Sequence, residues 1–304
     1  MLADCFRRAG LSKARFAVQQ RWHLTRRSNR SLRGLAIGTM IPFALSACGK
    51  SEPSYESIST VGRNYLPYNL AGFTITDQFG HSASGGGDLE PGAGGGKLSC
   101  CYALKGTQFK VEWQYYDVDQ WHGGDKRKFD AEATATLAPT KEPAEIGDRI
   151  LEVHFYPDRH VELRFPAGIT DSARLPMVDV IRALLYEHGK ALADRYENPY
   201  GETDRRIARV VAQAWLKYRL TDERDLEQYA CFALLVNPAF DADPLVQSII
   251  QTNKGTPGAL AAKLDTLPPA ILNALKSNHF EAVPVPRIAE GLLPPPIEES
   301  HDAG

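Results

Sequence analysis

The chain has 304 residues, 43% of them hydrophobic and 24% charged, an ordinary globular composition with room for two modest domains. Its formal net charge of −2 hides an asymmetry: residues 1–47 hold nine of the 35 basic side chains and one of the 37 acids, leaving 26 bases against 36 acids, near −10. So acidic a remainder lacks the basic footprint that nucleic acid demands, which excludes that partner and favours a basic protein surface.

The first element is a leader. Arg7, Arg8, Lys13, Arg15, Arg21, Arg26, Arg27, Arg30 and Arg33 precede the apolar run LAIGTMIPFAL at 35–45, which ends in Ser46-Ala47-Cys48. A basic segment, a short apolar run and small residues before a cleavage point form a secretory signal. The run is shorter than the ~20 residues a membrane-spanning helix needs. Leu45-Ser46-Ala47-Cys48 resembles a bacterial lipobox, in which the cysteine thiol takes a diacylglycerol and becomes the acylated N-terminus. Residues 1–47 are therefore expected to be a lipoprotein signal peptide and Cys48 the lipidation site. Gly49 follows where the resemblance would put an inner-membrane retention aspartate, so the expected location is the outer membrane, facing the periplasm.

Residues 48–62 include the polar run GKSEPSYESISTVG and read as a tether. Residues 63–166 read as a β-rich domain. Strands are predicted over 70–76, 97–104, 108–116, 131–138, 149–156 and 160–165, where aromatic and β-branched residues partly alternate with polar ones. Tyr156-Pro157-Asp158-Arg159-His160 reads as the hairpin turn between the last two. The glycine-rich stretch 80–96 reads as a flexible loop outside the core. The period then changes. Helices are predicted over 176–196, with Val180, Leu184, Leu185 and Ala191 on one stripe, and over 203–220, with Ile207, Val210, Val211, Ala214 and Trp215. Thr221 is expected to cap a third, and two further starts fall at Thr256-Pro257 and Pro268-Pro269. The predicted class is α+β: an N-terminal antiparallel, sandwich-like β domain followed by an all-α helical domain at 167–282 and a Pro-rich disordered tail at 283–304.

Two motifs fail as catalytic sites. PGAGGGK, 91–97, looks like a phosphate-binding loop, but Pro91 stands where that loop needs glycine, Leu98 replaces the Mg²⁺-binding Ser or Thr, and a strand follows instead of a helix. No nucleotide is expected. Gly80-His81-Ser82-Ala83-Ser84 misses the last glycine of a hydrolase elbow. His154 and His160 flank the hairpin without a carboxylate cluster at ligand spacing and read as surface residues. Cys100 and Cys101 are adjacent, and in a regular strand they point to opposite faces, so they cannot share one tetrahedral metal site. They are candidates for a disulfide or for structural thiols, the bonded pair demanding a strained turn in place of a strand. Cys231 leaves the thiol count odd. Neither a metal nor a cofactor is expected. Trp113, Tyr115, Tyr116 and Trp121, interspersed with Asp117, Asp119 and Asp125, are the candidate partner-binding residues.

The order GGGKLSCCYALKG, FKVEWQYY and ILEVHFYPDRHVELRF resembles the bacterial lipoproteins that carry domain of unknown function 3304. Gly94 to Gly96, Ser99, Cys100, Cys101, Lys110 to Trp113 and Val153 to Asp158 carry that similarity, which covers about residues 64–166. The sequence departs from the family pattern at Ala103-Leu104-Lys105 and in the insertion 80–92. The resemblance implies a non-enzymatic immunity or accessory protein associated with type VI secretion, its partner an effector of the lipase kind. The helical half is faintly similar to type VI adaptor proteins, which implies an alternative role as an effector-loading adaptor or chaperone.

Overall fold

The first strand of the protein lies where the sequence predicts a tether. The computed structural model describes residues 52–138, 143, 145, 149–165, 174–196 and 202–276. The expected signal peptide at 1–47, the expected lipidation site Cys48 and the expected tail at 283–304 lie outside the described residues. Within them, β1 (Ser54–Asn64) is an interior strand that buries Tyr55, Ile58 and Val61. Its polar residues are satisfied locally. The Thr60 hydroxyl donates to the Ser84 carbonyl at 2.6 Å, and the Asn64 amide donates to the carbonyls of Tyr68 and Leu89 at 2.9 and 2.8 Å. Burying these groups is therefore inexpensive. The strand escapes a search for strict alternation because Ser57 has φ of 54° and the register shifts between Tyr55 and Ile58. A bulge throws the side chains out of phase.

Among the described residues, eight strands make two four-stranded sheets. One has the order β4 (Gly94–Lys105), β1, β7 (Ile150–Phe155), β8 (Val161–Arg164). The other has the order β3 (Ser82–Gly85), β2 (Asn69–Asp77), β5 (Gln108–Tyr116), β6 (Phe129–Thr136). The second sheet is antiparallel, but β1 and β7 run parallel, so the first is mixed rather than antiparallel throughout. A parallel pair needs a long crossover, and all four strands of the second sheet, together with β4, lie between β1 and β7 in the chain. The fold is thus α+β, with one mixed sheet, one antiparallel sheet and several helices.

The sheets share a core. Leu151, Val153 and Phe155 of β7 point into it, and the Phe155 ring meets Phe73 and Trp113 at centroid distances of 5.2 and 5.3 Å. Full burial of a ring like Phe155 contributes roughly 2–3 kcal/mol. The glycine-rich stretch belongs to this core in part, contrary to its reading as a loop. β3 pairs with β2, and Ala83 and Leu89 are buried. Leu89 is why residue 62 must be glycine: a Cβ there would sit 2.8 Å from the Leu89 Cδ1 and 3.2 Å from the Phe73 Cε1. Gly62→Ala is expected to destabilise by about 1–3 kcal/mol through overpacking, read as a lowered denaturation midpoint; an unchanged midpoint contradicts this packing.

Helices follow: α1 (Val118–His122) within the β region, then α2 (Met177–Arg195), α3 (Glu202–Tyr218), α4 (Glu223–Cys231), α5 (Pro244–Thr252), α6 (Ala259–Asp265) and α7 (Pro269–Ala274). Asp222, not Thr221, caps α4, its carboxylate accepting from the amides of Arg224 and Asp225. Aspartate there also complements the helix dipole. A π-helical turn, Phe232–Val236, continues α4 and buries all five of its residues. Val180, Leu184, Ile207, Val211 and Trp215 build a second core, which includes Tyr65 and Tyr156 from the β region. Two arginines of α3 reach the same region. Arg209 lies 2.8 Å from the Asp117 Oδ1 and 2.9 Å from the Asp119 Oδ2, and donates to the Pro67 carbonyl at 3.2 Å. Arg205 pairs with Asp119 at 2.8 Å. Among the described residues, no helix is long and apolar enough to cross a membrane.

Candidate functional site

Alternation along the antiparallel sheet puts Phe73, Val111, Trp113 and Ala131 inside and leaves Thr74, Glu112, Gln114, Asp130 and Glu132 on the outer face. That face carries an open groove of about 540 Å³ across β2, β5 and β6. Gly72 leaves its floor uncrowded, with only the Gly85 carbonyl within reach of an added Cβ, at 3.6 Å. Glu112 and Glu132 are direct cross-strand partners. Like charges so placed repel, and the Lys110 amine answers both, at 2.8 and 2.9 Å. The two carboxylates hold the Lys110 pKa above its ordinary value by hydrogen bonding and charge. Gln114 donates to Asp130 at 2.9 Å. The groove thus sets the three carboxylates of Glu112, Asp130 and Glu132 against the amines of Lys110 and Lys128.

Of the aromatic residues singled out from the sequence, Trp113 borders this groove but is buried, and Tyr115, Tyr116 and Trp121 lie outside its lining. Trp113, Tyr115 and Tyr116 are buried, so these rings are structural and do not form an exposed recognition surface. The alternation that makes β5 a strand directs Trp113 and Tyr115 inward. Tyr115 stacks on Tyr68 and Phe129, and the Tyr116 hydroxyl donates to Asp88 at 2.5 Å. Trp121, on α1, is half-buried against Tyr116, with the amines of Lys126 and Lys128 4.7 and 5.9 Å from its ring centre.

A second polar assembly centres on buried groups and is closed by two partly exposed arginines. His154 is 0% exposed and Glu152 1%, so His154 is not the surface residue that the hairpin reading predicts. Both lie on the face of β7 opposite Leu151 and Val153. Burial lowers the His154 pKa, more than the neighbouring Glu152 raises it, and keeps the ring neutral. Its Nε2–H then donates to the Glu152 Oε2 at 3.2 Å, while Nδ1 accepts from the Tyr65 hydroxyl at 3.0 Å. Burial alone would raise the Glu152 pKa. Hydrogen bonds from His154 and Arg63, and the Arg63 charge, outweigh it and bring the carboxyl down to about 2. Arg63 bonds its Oε1 at 2.6 Å, and Arg164 its Oε2 at 3.2 Å. Burial pushes the Tyr65 hydroxyl up to about 12, which keeps it protonated and a poor nucleophile. Sequence reasoning missed this chain because Arg63 and Tyr65 are 89 residues from Glu152 and His154.

The motifs rejected from the sequence sit in sheet. Residues 94–105 form β4, so no helix follows Lys97. Ser82 is exposed on β3, next to a turn tied by Asp77, which accepts from the amides of Phe79 and His81. Cys100 and Cys101 are exposed free thiols, and Cys231 is buried. Among the described residues, no group of three His, Cys, Asp or Glu side chains could hold a metal ion. The chain matches no protein-family model, no curated protein and no solved structure.

Proposed function

We propose that the chain is a lipid-anchored lipoprotein of the outer membrane, facing the periplasm, which binds a protein partner. The partner we propose is a type VI secretion effector of the lipase kind, for which the chain serves as an immunity or accessory protein. The observation that carries the binding role is the acidic outer groove of the antiparallel sheet, where Glu112, Asp130 and Glu132 lie exposed on paired strands. Such a surface attracts a basic protein patch and speeds its docking. The buried Tyr65–His154–Glu152 chain supports a non-catalytic reading, because it orders the interior and offers no access to substrate. The lipobox-like Leu45-Ser46-Ala47-Cys48 carries the anchoring part of the proposal. The finer architecture we propose is a sandwich-like β domain and an all-α helical domain, with Tyr65 and Tyr156 filling the base of the helical core.

Co-expression with the effector encoded beside it tests the role. Cells carrying both are expected to survive, and wild-type protein to incorporate labelled palmitate that Cys48→Ser does not. Continued killing, or a wild-type chain that takes up no palmitate, contradicts the corresponding half of the proposal.

A further inference from the structure

Cys100 and Cys101 do not behave as neighbours in a regular strand. In extended chain, adjacent side chains leave opposite faces of the sheet and their sulfurs stay apart. Here the pairing steps from Ile58↔Tyr102 to Thr60↔Ser99, so β4 holds one residue more than β1 across that interval. The extra residue is a bulge at Cys100-Cys101, and Cys101 carries a φ of 70°. A left-handed conformation is uncommon for any residue but glycine. It brings the two Sγ atoms to 2.6 Å, closer than two non-bonded sulfurs rest. Both residues are exposed. Their hydrogen-bonded contact raises the Cys101 thiol pKa. The strained turn that a bond between adjacent cysteines demands is therefore already present in the backbone.

We propose that Cys100 and Cys101 form a surface dithiol–disulfide couple whose oxidants are small disulfides. The reaction proceeds by exchange. The thiolate of one cysteine attacks a sulfur of the oxidant and displaces one thiolate, giving a mixed disulfide. The neighbouring thiolate then attacks the protein sulfur of that mixed disulfide and displaces the second thiolate. One S–S bond forms between Cys100 and Cys101 as the oxidant's S–S bond breaks. The two electrons and two protons end on the two released thiols. The proximity fixed by the bulge makes the second step intramolecular, so the mixed disulfide does not accumulate.

The test uses the full chain, reduced and then treated with oxidised glutathione. Remaining thiols are alkylated, and the peptide holding both cysteines is weighed. In the wild type this peptide is expected to carry neither alkyl group nor glutathione and to be lighter than the reduced peptide by two hydrogen atoms. Cys100→Ser and Cys101→Ser, both at exposed positions, are expected to retain glutathione on the remaining cysteine, because the second thiol is gone. Reduced wild type is also expected to chelate phenylarsine oxide, a probe of paired thiols, and so to resist alkylation at both positions. A wild-type peptide that stays doubly alkylated after oxidant, or that keeps glutathione as the single-serine variants do, overturns the proposal.

Discussion

Arg209→Met is expected to lower stability by on the order of 3 kcal/mol, or roughly 6–12 °C in Tm, although it removes no residue of either apolar core. The Arg209 side chain is only 4% exposed and meets Asp117 and Asp119, which are 11% and 23% exposed. Methionine would fill the space of the aliphatic stem and leave two partly buried carboxylates short of a cation. The loss falls at the low end for a broken buried pair for two reasons. Asp119 keeps Arg205 at 2.8 Å, and Asp117 still accepts from the amides of Asp119 and Gln120 at the start of α1. Asp117→Asn separates these roles, because it retains an acceptor for the cap while giving up the charge. It should cost clearly less than Arg209→Met. The comparison is read from denaturation midpoints; equal losses in the two variants would show that the Asp117–Arg209 pair carries the whole effect and that Asp119 adds nothing to it.

Acid is expected to unfold the protein in two stages, because two groups in the Tyr65–His154–Glu152 chain titrate away from their ordinary values. His154 has a folded pKa below the ordinary 6.5. A base with a depressed folded pKa contributes stability that is present above its unfolded value and lost as pH falls below it. The first decline should therefore begin near pH 6.5. Glu152 is held at about 2 against an ordinary 4.5. Its contribution, on the order of 3 kcal/mol, is present above about pH 4.5 and lost as pH falls towards 2. The diagnostic is the difference from His154→Gln. That variant should be less stable at pH 7, through a disturbed Tyr65 hydroxyl and Glu152 carboxylate, but should lose less between pH 7 and 5 than the wild type. Parallel pH profiles for the two proteins would refute the assignment.

Much of the sheet was legible because local pattern and burial agree there. QFKVEWQYY alternates outside and inside through residue 114, and β5 spans the predicted 108–116. The helices α2 and α3 announced themselves by apolar stripes that now line the second core. What stayed hidden depends on broken periodicity or on distant partners. The bulge at Ser57 disguised β1 as a tether, and the bulge at Cys101 undid the argument that adjacent cysteines face apart. In β7, Glu152 and His154 alternate with Leu151, Val153 and Phe155, a pattern that ordinarily marks a solvent-facing side. That face is instead buried, and only Arg63, Tyr65 and Arg164 make it tolerable. The acidic groove has a related history. Its carboxylates carry no pattern along the sequence, and only the register that sets Glu112 opposite Glu132 makes them one surface.

The most direct test of the proposed binding role is the affinity of the purified chain from residue 49 onward for the proposed effector partner, compared with a triple variant, Glu112→Gln, Asp130→Asn and Glu132→Gln. All three side chains lie on the outer face, so the variant should keep the wild-type denaturation midpoint to within about 1 kcal/mol. The wild type is expected to bind, with an association rate at low salt at least about tenfold above that of the variant and a gap that narrows as salt is added. A wild-type chain that does not bind the effector contradicts the proposed function, and equal binding by wild type and variant at every salt concentration contradicts the groove as its site.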